Sequence, residues 1–145
     1  MFDSSAALVY AELSLGGLGT VGGLRAIVGI ASATDVVEQS SVDDNGRPMI
    51  LKTAGPLRWP NIVLRRPVDE SRTLWEWRDV VVSRGPDAAR VDGTITLLDA
   101  AGRAGVTYGF ANGWPIRYAV TDVDASSETG ALEEIVICHE GLQRL

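Results

Sequence analysis

The sequence predicts a mainly β fold, an antiparallel β-barrel or sandwich with one flanking α-helix. Three observations point there. Apolar and polar residues alternate over several short windows, clusters of turn-forming residues separate those windows, and one stretch alone carries helical periodicity. The 145 residues fit a single domain spanning the whole chain.

Leu8 to Leu15 opens the series as a strand, with Ala7, Val9, Ala11, Leu13 and Leu15 on one face and Tyr10, Glu12 and Ser14 on the other. Gly16-Gly17-Leu18-Gly19 turns the chain, and Leu24 to Ile30 and Thr34 to Gln39 read as two further strands. From Ser40 to Leu57 the pattern breaks. Asp43-Asp44-Asn45-Gly46 is a strong turn signal, and Pro48 and Gly55-Pro56 follow it, so this stretch is expected to be the longest loop of the chain. Long loops in compact domains are usually functional or disordered.

Ile62 to Arg66 is a strand with Ile62 and Leu64 on one face. The helix follows. Asp69 is its expected N-cap, and Glu70 suits the positive end of the helix dipole. Leu74, Trp77 and Val81 form its apolar stripe, and Ser83-Arg84-Gly85-Pro86 ends it. Trp75 lies two positions from Trp77 and points elsewhere, which makes it the candidate surface contact of the helix.

Beyond the helix, strands return. Val91, Ile95 and Leu97 alternate with Asp92, Thr94 and Thr96, and Asp99-Ala100-Ala101-Gly102 makes a hairpin turn. Val106, Tyr108 and Phe110 share a face, and Asn112-Gly113 reads as another turn. Ile116, Tyr118 and Val120 follow, then a polar loop from Asp122 to Gly130, then a last strand with Ile135 and Ile137 on one face.

Composition narrows the function. The net charge is -6, so no basic field draws in nucleic acid or an anionic membrane surface. Twelve of the thirteen basic residues are arginine, a bias that a GC-rich genome explains as readily as any mechanism. Cys138 is the only cysteine, which rules out an intrachain disulfide. Met1 to Ser5 has no basic, apolar leader pattern, so no signal peptide is expected. No apolar run is long enough for a membrane span, and no stable membrane anchoring is expected.

Few residues carry a chemical signal. Gly17-Leu18-Gly19-Thr20-Val21-Gly22 spells G-x-G-x-x-G, the turn that brings backbone amides to a pyrophosphate, with Glu38 near the spacing of a ribose-binding acid. That chemistry requires a buried parallel strand before the turn and a helix after it. The alternating strand with Glu12 and the β-branched segment around Gly29 fit a glycine-rich hairpin better. Cys138 and His139 are neighbours on a strand and face opposite sides, so they do not share a ligand sphere. His139 is the lone imidazole, without a nucleophile elbow, and reads as structural. Asp43/Asp44, Asp122/Asp124 and Glu133/Glu134 read as surface and turn carboxylates. No catalytic residue, metal site or cofactor is expected.

From Trp59 onward the sequence resembles the tail-tube, or inner-tube, family of T4-like contractile phages and extracellular contractile injection systems. Asn61-Ile-Val-Leu-Arg-Arg66, Leu74-Trp75-Glu76-Trp77 and Ile95-Thr-Leu-Leu-Asp99 with Gly102 carry the first half of the likeness. Asn112-Gly-Trp-Pro115 with Tyr118, Asp124-Ala-Ser-Ser127, and Glu134 with His139-Glu-Gly-Leu142 carry the second. The likeness implies a non-enzymatic subunit that assembles with itself into six-membered rings stacked as a hollow tube. It also implies a surrounding contractile sheath, baseplate and tape-measure partners, and protein cargo in the lumen. Assembly would take place in the cytoplasm, within a tail or a particle released from the cell. Loop length makes Asp43, Asp44, Asn45, Gly46, Arg47 and Lys52 the candidate ring-to-ring contact. A baseplate or tube-initiating relative is the alternative, and a small nucleotide-binding enzyme using Gly17 to Gly22 a distant one.

Overall fold

The computed structural model describes residues 6–121, 123–126 and 130–145. The Met1 to Ser5 stretch read for a leader, and parts of the Asp122 to Gly130 loop, lie outside them. In chain order the elements are β1 (Leu8–Leu15), β2 (Gly19–Leu24), β3 (Ala26–Val28), β4 (Ala33–Val42), β5 (Pro48–Arg58) and β6 (Ile62–Pro67). Then come α1 (Thr73–Arg84), α2 (Pro86–Ala89), β7 (Val91–Asp99), β8 (Ala104–Val120), β9 (Leu132–Cys138) and β10 (Leu142–Arg144).

One sheet runs β2-β1-β7-β8-β9-β6-β3, with β10 added on β8, and every pairing is antiparallel. Its two ends meet through the chain itself. β2 lies beside β1, Arg25 N–H bonds the Arg65 carbonyl at 2.9 Å, and β3 continues that ladder along β6. The sheet therefore rolls into a barrel, which removes most of its free edges.

The inward positions of the alternating strands supply the core. Leu13, Ile95, Ile62, Leu64, Ile135 and Ile137 are fully buried, and Leu74 and Trp77 close it from α1. The indole of Trp77 donates to the Ala89 carbonyl at 2.8 Å, so even the polar atom of this large side chain is satisfied. Val9 shares the face of Leu13 by count, yet it is exposed, because the ladder with β7 slips between Leu8 and Tyr10.

Four expectations need correction. First, Ser40 to Leu57 is not a loop. Residues 33–58 form a separate two-stranded hairpin, β4–β5, with a tight turn at its tip. Its prolines do not break it, because each strand of an isolated pair has a free edge. Pro48 opens β5, and Gly55-Pro56 fall in a bulge opposite Asp35, where the register shifts.

Second, Asn112-Gly113 is not a hairpin turn. β8 runs straight through it, pairing with β7 before the kink and with β9 after it. Asn112 takes φ 51°, held by its N–H on Asp92 Oδ1 at 3.0 Å and its amide on Glu140 Oε2 at 2.8 Å. Third, α1 begins at Thr73, later than Asp69 predicts, with no side-chain cap. The Asp69 carboxylate is engaged by Arg66 and by the Ser71 N–H instead. Fourth, Gly85-Pro86 ends α1 but also starts α2, with Pro86 at its first position, where a missing N–H costs nothing.

Candidate assembly surfaces

Asp43 builds the tip of the β4–β5 hairpin. Its Oδ1 accepts the Asn45 and Arg47 N–H groups, each at 2.8 Å, while its own N–H bonds the Arg47 carbonyl. Gly46 takes φ 76°, a conformation glycine adopts without strain. Asp44, Asn45 and Arg47 project into solvent around this turn. Lys52 does not belong to the tip. It lies on the shaft, its Nζ 4.0 Å from Glu38 Oε1 across the ladder. Glu38, the residue at ribose-acid spacing, is thus a cross-strand partner of a lysine.

The hairpin has two faces, and the register assigns them. Val36/Ala54, Glu38/Lys52, Ser40/Ile50 and Val42/Pro48 share one; Val37/Thr53, Gln39/Leu51 and Ser41/Met49 share the other. Both carry apolar side chains in the open: Val36 and Ile50 are each 62% exposed, and Leu51 is 41% exposed. An isolated hairpin is only marginally stable in water, and apolar patches of this kind mark interaction surfaces.

Further exposed apolar side chains lie on and near α1. Trp75 is 48% exposed and meets the Tyr118 ring edge-on, with centroids 5.4 Å apart at 77°. Val68, Val82 and Val120 are exposed as well. The sequence placed Trp75 away from the core stripe, and it stands there.

Beneath this patch lies a buried polar network that the sequence reading missed. Arg66 donates to Glu133 Oε1 at 2.7 Å, to both Asp69 oxygens at 2.7 and 3.1 Å, and to the Gly22 carbonyl at 2.9 Å. The Tyr118 hydroxyl donates to Glu133 Oε2 at 2.6 Å. Arg66 and Glu133 are buried, so Glu133 is not the surface carboxylate expected for the Glu133/Glu134 pair. The signal was available, since Arg66 and Glu133 each lie two residues from a core position, Leu64 and Ile135, and so point inward. Glu134 does face out, between Arg65 and Arg117 at 2.7 and 2.6 Å.

The Arg66 guanidinium, helped by the Ser71 N–H, holds the Asp69 carboxyl below the usual carboxylate range. Burial, and then the bond to Glu133, push the Tyr118 phenol up to about 12. A charge pair removed from water in this way is costly to break from one side. The network ties β2, β6, β8 and β9 to the segment leading into α1. It is a structural clamp, and its Arg66–Asp69 end borders an open cleft lined also by Tyr10, Gly23, Arg25 and Pro67.

The chemical candidates resolve into structural roles. Gly17 to Gly22 spans the β1–β2 turn and strand β2, and no helix follows it. His139 is buried, with Nδ1 3.0 Å from the Gly141 carbonyl and 3.2 Å from the Gly141 nitrogen, and Nε2 3.1 Å from the Pro60 carbonyl. Trp59 and Phe110 flank its ring. Asp124 accepts the Ser126 N–H and hydroxyl, a turn role as expected. Among the described residues no three potential metal ligands come together. Among these residues no helix is long and apolar enough to cross a membrane either.

Comparison with known proteins agrees with this geometry. Solved structures share the fold at low identity. The sheath-tube complex of the PVC extracellular contractile injection system in its extended state matches with a TM-score of 0.77 and 21% identity, over 99% of this chain and 93% of that one. The tube-terminating cap of the anti-feeding prophage gives 0.75 and 20%, over 100% and 93%. Hcp1 from Flavobacterium johnsoniae gives 0.60 and 17%, over 93% and 94%. No curated protein sequence matches the chain. The family model for T4-like virus tail tube protein gp19 matches residues 12–143, nearly the whole barrel together with the hairpin and both helices, and the chain therefore belongs to the T4-like virus tail tube family.

Proposed function

We propose that this protein is the structural subunit of the inner tube of a contractile tail or injection particle, without catalytic activity of its own. Copies close head to tail into six-membered rings, and the rings stack into a hollow conduit that sheath contraction drives out. One observation supports this most directly: the β4–β5 hairpin exposes apolar residues on both faces, and among the described residues no other strand pairs with it. A heterologous contact of that kind closes into rings or continues into fibres, according to the rotation it imposes.

In this reading the hairpin, with Asp43, Asp44, Asn45, Gly46 and Arg47 at its tip and Lys52 on its shaft, reaches the next ring. Trp75 and its neighbours meet a second partner, either a neighbouring subunit or the sheath. Baseplate and tape-measure proteins bind the ends of the stack, assembly takes place in the cytoplasm, and the lumen carries protein cargo. Negative-stain electron microscopy of the purified protein, or of particles from producing cells, is expected to show rings or tubes containing this chain. Particles whose tubes lack it would overturn the reading.

A second reading has its own support, because one similar structure comes from the anti-feeding prophage baseplate, with a TM-score of 0.71 and 16% identity. A baseplate or tube-initiating subunit would occur in a few copies per particle. A main tube subunit would rival the sheath protein in copy number, and quantitative mass spectrometry of particles separates the two.

A further inference from the structure

The chain has three asparagines, and two of them precede glycine, as Asn45-Gly46 and Asn112-Gly113. An asparagine so placed is thermolabile, because glycine has no side chain to keep its amide nitrogen away from the preceding carboxamide. The fold treats the two pairs in opposite ways. The Asn112 carboxamide donates to Glu140 Oε2 at 2.8 Å. Gly113 is buried, pairs with Val91 and packs against the Phe110 ring. Bringing the Gly113 nitrogen onto the Asn112 side chain would require β8 to leave the core.

Asn45 and Gly46 are exposed at the tip of the β4–β5 hairpin. Asn45 joins the turn through its backbone N–H on Asp43 Oδ1, and its carboxamide has no hydrogen-bond partner among the described residues. The space around Gly46 is open, since an added Cβ would meet nothing within 4 Å. One bond restrains the nitrogen: the Gly46 N–H donates to the Asp43 carbonyl at 2.9 Å. That bond closes a two-stranded hairpin that pairs with no other strand among the described residues. Such a hairpin is marginally stable by itself, so its tip opens locally without unfolding the barrel.

We propose that Asn45 is a site of spontaneous modification, and that its deamidation withdraws a free subunit from ring stacking. The Gly46 amide nitrogen attacks the Asn45 carboxamide carbon and closes a cyclic imide. The side-chain nitrogen leaves as ammonia, taking up the proton of the Gly46 N–H. Water then opens the imide at either carbonyl. One opening gives aspartate, a third carboxylate beside Asp43 and Asp44. The other gives isoaspartate, which adds a carbon to the main chain and carries the Arg47 N–H away from the Asp43 carboxylate that now accepts it. The chemistry depends on the turn alone. Its consequence rests on the tube reading and adds a control on the ring-to-ring contact: a tip covered by the next ring is protected, and a subunit left unassembled ages.

The test incubates the purified, unassembled protein in warm, mildly alkaline buffer. Peptide mapping by mass spectrometry and isoaspartyl methyltransferase labelling then read the products. Asn45 is expected to convert many-fold faster than Asn112. Equal rates at the two, or no product at Asn45, would overturn the site. Stacking is read by sedimentation before and after ageing. The parent is expected to lose tubes several-fold, while Asn45→Ser keeps them, with Asn45→Gln as a second variant should Asn45→Ser not stack when fresh. Equal loss in parent and variant would overturn the consequence with the tube reading intact. Fresh parent that forms no tubes would remove the tube reading and the consequence together, and the peptide map would still decide the chemistry.

Discussion

At the scale of single residues, the core is set by space as much as by hydrophobicity. Phe110 is buried where β8 crosses β7, and a Cβ at either Gly93 or Gly113 would overlap its ring. Neither glycine has a positive φ, so what they supply is room and not backbone freedom. Gly113→Ala is expected to destabilise the fold by about 1–3 kcal/mol, the usual cost of overpacking, as measured by chemical denaturation. Gly113→Ala combined with Phe110→Leu should recover part of that loss, and no recovery would argue against this account of the glycine. Tyr118 makes a second residue-level prediction. Its phenol is raised to about 12 in the fold, while an unfolded tyrosine ionises near 10. The unfolded state thus releases its proton first, and stability should fall as pH rises from about 10 towards about 12. Tyr118→Phe should flatten that part of the stability profile while lowering stability at neutral pH, because Glu133 loses a donor. A wild-type profile with no alkaline decline would show that the phenol is not held as described.

At the scale of elements, the sequence was most readable where period and burial agree. Ile62 and Leu64, Ile135 and Ile137, and the Leu74–Trp77 stripe all stand where alternation or helical spacing puts them. It was least readable where two rules compete. Pro48 and Gly55-Pro56 suppress strand prediction by composition, yet a free edge and a bulge accommodate both. Asn112-Gly113 carries hairpin chemistry, but Asp92 and Glu140 hold it as a kink within one long strand. Asp69 has the chemistry of a cap, and Arg66 claims it first. The candidate contact residues therefore sit on an element of a different kind from the one expected. They form the tip of an ordered, apolar hairpin, with Lys52 on its shaft, and not a loop. Replacing residues 39–51 with an Asn-Gly turn between Glu38 and Lys52 keeps the paired base of the hairpin. The melting temperature of the barrel should stay close to that of the parent, while sedimentation should show stacking lost. Normal tubes from this variant would exclude the hairpin as the ring-to-ring contact.

At the scale of the whole molecule, the barrel supplies a stable body and the unsatisfied surfaces lie at its margins. The hairpin and the surroundings of Trp75 are two of them, each apolar and each outside the hydrophobic core. Trp75→Ala should leave thermal stability nearly unchanged, since the indole is half exposed and touches Tyr118 by its edge. Analytical ultracentrifugation, or sheath binding, should register the loss instead, by at least about 1 kcal/mol if Trp75 is an anchor of its interface. A variant that melts much earlier and associates normally would assign Trp75 to the fold. The family itself was legible from ordered motifs between Asn61 and Leu142, because those motifs include packing and turn residues that the barrel requires. The assembly contacts were less so, since a single chain records what it leaves uncovered and not what covers it.

Strand β8 has a mechanical consequence. Its 17 residues pair with β7 over one half and β9 over the other, so both halves of the barrel hang on one unbroken length of backbone. Force entering through either half is passed to the other along covalent bonds, with the hydrogen-bonded ladders loaded only at their sides. A subunit thrust end-on into a target surface would then respond as a single stiff body, and the two halves would not slide past each other under the stroke.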